Sequence, residues 1–199
     1  MRVDVAIVGG GVGGGALATV LARDGLAVLL LERSALFEDR VRGEWIAPWG
    51  VVEAIELGLY DELIAAGGHH LKRHVSYDET REPEAAEAQA IPLGLFRPGV
   101  PGPLCIGHPH LCQTLYGLAG ASGADTRRGV EQVEVRAGAE PRAEFTQGGE
   151  RTTVECSLLV GADGRASSVR RQLGVELRED PPHHLFTGLL VACGGTAYT

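Results

Sequence analysis

Three glycines, one glutamate and one aspartate are the residues of this chain whose types and spacing could do chemistry. Gly9, Gly11 and Gly14 stand in a run of six glycines within seven positions. A short apolar run, residues 3–8, precedes them, and Ala16, Leu17, Val20 and Leu21 follow at helical spacing. Asp24-Gly25 closes that helix, and a second apolar run over residues 26–31 ends in Glu32. This is a strand–helix–strand unit with G-x-G-x-x-G in its first turn. Gly9 permits the tight turn, Gly11 keeps a Cβ out of the path of a pyrophosphate, and Gly14 lets the helix lie close to the sheet. The free N–H groups of the first helical turn, helped by the helix dipole, face the phosphates. Glu32 follows the loop by roughly 20 residues, where a carboxylate accepts hydrogen bonds from a ribose diol and repels a 2′-phosphate. The chemistry is recognition of a dinucleotide other than NADP. The plain alternative is a Gly-rich turn with a surface glutamate, and the ordered strand, helix and acid weigh against it. As a strand-end carboxylate outside the core, Glu32 is expected to tolerate replacement by alanine without harm to the fold.

The aspartate is Asp163. Apolar residues 158–161 read as a buried strand running into Ala162-Asp163-Gly164-Arg165, with a helix expected over residues 169–173. An acid and a glycine after such a strand sit where α/β sheets place ligands, outside the strand C-termini. Other constellations are weaker. His69, His70, His74, His108, His110, His183 and His184 have no acid or cysteine at ligand spacing, so they read as surface or strand residues. Ser167 and Ser168 stand in no nucleophile elbow. Cys105, Cys112, Cys156 and Cys193 lie far apart without C-x-x-C spacing, which suits reduced thiols better than a disulfide or zinc site.

The elements that must position these groups follow from periodicity. Residues 34–42 are polar and read as a loop in which Arg40 and Arg42 flank Val41. Residues 51–66 read as two short amphipathic helices broken at Gly58 and ended by Gly67-Gly68. Residues 69–78 suggest a strand with mixed faces, 76–90 an acidic exposed excursion, and 91–103 an irregular, Pro- and Gly-rich return. A helix over residues 110–121 carries Leu111, Leu115 and Leu118 on one face. Residues 130–137, 142–146 and 152–157 alternate between Gly-rich turns, as a small antiparallel meander does. Residues 185–191 read as a final strand.

The 199 residues are 44% hydrophobic and 22% charged, enough for one good core or two small ones. The net charge of −8 argues against nucleic acid and against an anionic membrane surface as partners. No apolar run reaches membrane-spanning length, and the N-terminus enters the first strand without a signal-like segment. A cytoplasmic protein with a small-molecule partner is expected.

Three features in order, GGGVGG ending in Glu32-Arg33, RVRGEWIAP, and VGADGRASSVRRQLG, resemble the single-component FAD-dependent aromatic hydroxylases of the p-hydroxybenzoate hydroxylase type. The resemblance covers nearly the whole chain, and the GADG segment is its most specific part. It implies an α/β fold, a three-layer Rossmann-like FAD-binding domain with a parallel sheet, a β-meander crossover and incomplete pieces of a second, β-rich substrate domain. It implies FAD as cofactor and NAD(P)H as co-substrate, with O2 used to hydroxylate a small organic substrate. Gly9, Gly11, Val12, Gly13 and Gly14 would wrap the FAD pyrophosphate. Glu32 would hold the adenosine ribose, with Arg33 beside the adenine. Arg42, with Arg40 near it, would reach the flavin side or the pyrophosphate. Val130 would present backbone to the adenine, and Asp163 would contact the ribityl and pyrophosphate region, with Gly164 allowing the turn. His108 falls where the family has Arg or Gln against the cofactor, and a neutral His offers one donor without a guanidinium fork. No catalytic side chain is nominated.

On that resemblance, residues 1–69 and 105–178 form the FAD-binding domain, 70–104 an excursion into the substrate domain, and 179–199 its beginning. The chain is expected to be the N-terminal part of a monooxygenase, inactive alone. Self-association through the 185–191 edge, or dependence on a C-terminal fragment, is expected with it. The rivals are a flavin-dependent halogenase or polyprenyl-type reductase on the same fold, which the Gly-Glu then Pro48 pattern faintly resembles though no halogenase lysine is matched, and a non-catalytic FAD-binding fragment.

Overall fold

A computed structural model describes residues 1–39 and 44–184. Arg40, Arg42, the strand expected over 185–191 and Cys193 lie outside the described residues. The apolar run at the N-terminus forms strand β1 (Arg2–Val8), followed by helix α1 (Val12–Arg23) and strand β2 (Val28–Glu32). Gly25, at φ +85°, ends the helix, a turn that a left-handed glycine makes without strain. Next come β3 (Trp45–Ile46), α2 (Pro48–Glu56) and α3 (Tyr60–Ala65), the helices parted at Gly58 as the sequence suggests.

The excursion opens with β4 (His69–His70) and β5 (Arg73–His74), two short strands where the sequence suggests one. Helix α4 (Pro83–Ala88) follows, then β6 (Ile91–Pro92), a 3-10 turn over Leu93–Phe96, and β7 (Leu104–Cys105). The acidic stretch is thus partly helical, because Pro83 starts a run of good helix formers. The two ends of the excursion meet, His69 opposite Cys105 and His70 opposite Leu104, in a three-stranded sheet of order β3-β7-β4.

Helix α5 (His108–Ala121) leads to β8 (Asp125–Arg128), β9 (Gln132–Arg136), β10 (Arg142–Gln147), β11 (Glu150–Gly161) and α6 (Ser168–Gln172). The main sheet has the order β8-β2-β1-β11-β10-β9. Its four strands β8, β2, β1 and β11 run parallel, and β10 and β9 continue it antiparallel. One face packs Val5, Ile7, Val28 and Leu30 against Ala18 and Ala22 of α1 and Tyr116 and Ala119 of α5. On the opposite face Ala6, Val8, Leu29 and Leu31 share a core with Val135, Phe145 and Val154 of the meander and Val169 of α6. The expected three layers are therefore helices, parallel sheet and meander.

Two expectations need correction. The third meander strand and the apolar strand 158–161 are one 12-residue strand. β11 pairs antiparallel with β10 up to Glu155 and parallel with β1 from Glu155 to Gly161, so one strand serves both layers. Its apolar end is not wholly buried either: Leu158 is 53% exposed. Strand β8 carries no apolar signal, because its sequence is DTRR, and tertiary pairing with β2 makes it a strand.

Candidate functional site

Parallel strands deliver their C-terminal ends to one edge, and that edge holds the residues singled out in the sequence. Val8 lies opposite both Leu31 and Gly161, so the glycine loop, Glu32 and Ala162-Asp163 leave the sheet together. The sheet order reverses direction at β1, whose sequential partner β2 lies on one side and the late strand β11 on the other. A crevice opens outside the strand ends at such a switch point.

The glycine loop is shaped from two sides. Gly9 adopts φ +109°, and a Cβ there would lie 2.4 Å from the carbonyl oxygen of Ala162 and 2.7 Å from Cα of Asp163. Gly14 is tighter still, since a Cβ would lie 1.8 Å from the Gly9 carbonyl oxygen. These glycines let the loop, the helix and the Asp163 turn pack backbone to backbone. Gly11 and Gly13 differ: a Cβ at either would meet nothing within 4 Å. Helix α1 has no side-chain cap and no acid in its first turn. Open backbone at Gly11 and Gly13, beside an uncapped helix N-terminus, fits a diphosphate.

Glu32 is 9% exposed. Its Oε2 accepts from the Gly10 N–H at 2.6 Å and its Oε1 from the Ser34 N–H at 2.7 Å. The premise that Glu32 lies outside the core does not hold: it is buried, and its carboxylate ties the glycine loop to the end of β2. Two of its lone-pair positions are used by the protein, and two remain open to further donors. Val130 lies against the same strand end, buried, with its N–H donating to the Glu32 carbonyl at 3.1 Å. That N–H is thus committed within the protein and is not free for a ligand. Arg33 is exposed and lines a shallow recess of about 340 Å³ with Ser34, Ala35, Leu36 and Glu38.

Asp163 turns its carboxylate back into the protein. Oδ1 accepts from the Ser167 hydroxyl, and Oδ2 accepts from the Ser168 N–H at 2.5 Å, the Ser168 hydroxyl at 3.0 Å and the Val169 N–H at 3.1 Å. It caps α6, while Gly164 at φ +81° makes the turn. Burial alone would raise this carboxyl, but the bonds from Ser167, Val169 and Ser168 outweigh it and hold it below the ordinary aspartate value. A carboxylate lowered in this way stabilises the fold above its unfolded pKa, and the contribution fades as pH falls toward the folded value. Asp163→Asn should lower stability at neutral pH by about 1 kcal/mol, allowing for the solvent that reaches the group. The gap to the parent should close below about pH 4. Denaturant titrations at both pH values check this, and a gap that stays constant would contradict the cap.

His108 opens α5, with its Nε2 3.6 Å from Sγ of Cys112 one turn on. Burial pushes the Cys105 and Cys156 thiols above their ordinary value. Among the described residues no three His, Cys, Asp or Glu side chains gather as a metal site, and no helix is long and apolar enough to cross a membrane. Of the acids' partners, Gly10 and Ser34 carry no signal in the sequence, whereas Ser167, four residues past an acid and just before a helix, carries a capping signal.

The strand order, the glycine loop at the switch point and the acid at the end of β2 define a dinucleotide-binding domain of the doubly wound class. Residues 2–191 match the FAD binding domain family, and the chain belongs to that family. It is 32% identical over 186 residues to the FAD-dependent monooxygenase pynG of Aspergillus niger, a match covering 91% of this chain and 41% of that protein. To squalene monooxygenase of Rattus norvegicus it is 44% identical over 75 residues, 38% of this chain and 13% of the relative. The anhydrotetracycline hydroxylase OxyS from Streptomyces rimosus superposes with a TM-score of 0.73 at 29% identity, over 92% of this chain and 36% of OxyS. The chain thus spans less than half the length of these relatives.

Proposed function

We propose that this chain is the FAD-binding part of a monooxygenase that uses NAD(P)H and O2 to hydroxylate a small organic molecule. The observation that carries the reading is the convergence at one sheet edge of the open Gly11 and Gly13 backbone, the buried Glu32 carboxylate and the Asp163 turn. Gly11, Val12 and Gly13 would take the pyrophosphate, Glu32 the ribose, and Arg33 with the Val130 carbonyl the adenine. Asp163 would act through the turn it holds, keeping the backbone of residues 162–164 against Gly9. A bound flavin would supply the hydride-accepting and O2-activating chemistry, while the protein would supply binding, orientation and exclusion of water. The monooxygenase relatives support the reaction class, and the substrate class follows from the resemblance to aromatic hydroxylases.

The test is direct. The intact monooxygenase that carries this chain is purified and denatured and its supernatant examined for flavin, then NADH and NADPH oxidation is followed with and without simple phenols. FAD in the extract and phenol-stimulated oxidation are expected. Bound NAD without flavin would sink the cofactor assignment, and FAD without stimulated oxidation would leave a binding domain alone.

A further inference from the structure

Strand β8 ends in two arginines whose side chains leave on opposite faces. Arg127 pairs with Asp125 at the surface, Nε to Oδ1 at 2.7 Å and Nη2 to Oδ2 at 3.0 Å. Arg128 turns inward. Its Cζ lies 4.3 Å from the ring centroid of Phe37 and 4.3 Å from that of Tyr116, and those rings meet edge-on at 6.1 Å. Its Nε and Nη2 are buried, and neither has a hydrogen-bond partner among the described residues. Burying donors without acceptors is costly, so an arginine kept in this way needs a compensating role.

The surroundings supply one. Arg128 lies opposite Glu32 in the β2–β8 register. A Cβ built on Gly10 would come 2.8 Å from Cβ of Glu32 and 3.0 Å from Cδ2 of Tyr116, so Gly10, Glu32 and Tyr116 form one packed group. Phe37 arrives from residues 33–39, the segment whose Ser34 N–H donates to Glu32. The guanidinium therefore joins three elements: β8, α5, and the loop that follows the ribose-binding acid.

We propose that Arg128 is a positioning residue of the adenosine subsite. It clamps Phe37 onto Tyr116 by its charge, holds residues 33–39 against the end of β2, and so sets the Glu32 carboxylate that receives the ribose. This inference rests on the FAD reading above. A mere apolar plug would be served equally by the stem of the side chain, and the attraction to two ring faces needs the cation.

Arg128→Met keeps stem and volume without charge, and Arg128→Lys keeps charge without the flat guanidinium. In the methionine variant, hydrogen exchange of the amides at residues 34–39 should quicken about tenfold, with β1 and β11 unchanged, as loss of a partly desolvated cation–π contact predicts. FAD and ADP should weaken by the same factor, about tenfold, because they share the adenosine half. Lysine should restore part of both. Unchanged exchange at residues 34–39 overturns the clamp, whatever the ligand affinity. Faster exchange with undiminished FAD and ADP affinity overturns the positioning role. A parent protein that binds neither ligand overturns the FAD reading and the adenosine role together, while the exchange result still decides the clamp.

Discussion

Gly14→Ala is expected to destabilise the fold by about 3 kcal/mol or more, in the upper range for overpacking, whereas Gly11→Val should fold normally and lose FAD. Both replace a glycine of one motif, and the structure separates them. A Cβ at Gly14 would meet the Gly9 carbonyl oxygen at 1.8 Å and Cβ of Ala162 at 3.3 Å. The first obstacle is backbone, so no side chain can swing aside, and the helix must move off the loop that starts it. At Gly11 the backbone is extended, φ −70° and ψ −165°, which any residue adopts, and a Cβ meets open space. Valine there should cost at most about 1 kcal/mol as a poorer N-cap. Its methyl groups would stand where a pyrophosphate approaches, so FAD affinity should fall by more than about a hundredfold, as loss of several phosphate hydrogen bonds predicts. Thermal melts and FAD titration of both variants decide this. A Gly11→Val protein that keeps parental affinity would place the phosphates elsewhere.

Glu32→Ala should strike fold and ligand together. It strands the buried Gly10 N–H, which now donates at 2.6 Å, and frees Ser34. An orphaned buried donor costs about 1–3 kcal/mol. Loss of the charge-assisted bonds to a ribose removes about another 1.5–3 kcal/mol from binding, tenfold to a hundredfold in affinity. Glu32→Gln keeps an acceptor oxygen for one of the two N–H groups, so it should recover part of the stability while still binding FAD less tightly than the parent. Paired denaturant and FAD titrations separate the two losses. If Glu32→Ala melts with the parent, the tie between glycine loop and β2 contributes nothing.

Much of this was legible before any coordinates. The strand, glycine loop, helix and acid of residues 3–32 are local in sequence, and each rests on a short-range rule: glycine where backbone must approach, apolar runs for strands buried on both faces, and an acid at the second strand's end. The α2–α3 break, α5 and the meander were legible for the same reason, because period and turn residues act over a few positions. Asp163-Gly164 could be placed at a strand end from its flanking residues alone.

Only tertiary structure decided the rest. Strand β8 exists because β2 has an open edge for DTRR to pair with, a long-range hydrogen-bonding fact that propensity does not contain. β11 is continuous because the meander and the parallel sheet hand it over at Glu155. Glu32, read in sequence only as a ribose-binding candidate, became a structural residue because the glycine loop folds back onto it, 22 positions away. Asp163 became a helix cap because Ser167, Ser168 and Val169 curl over it. Arg128 gives no signal at all in sequence. Its neighbour Arg127 is chemically identical, and only the alternation of β8 against a sheet with α5 on one face sends one to solvent and the other between Phe37 and Tyr116. Sequence spacing names the groups that can touch a ligand, and packing across distant elements determines which groups hold them in place.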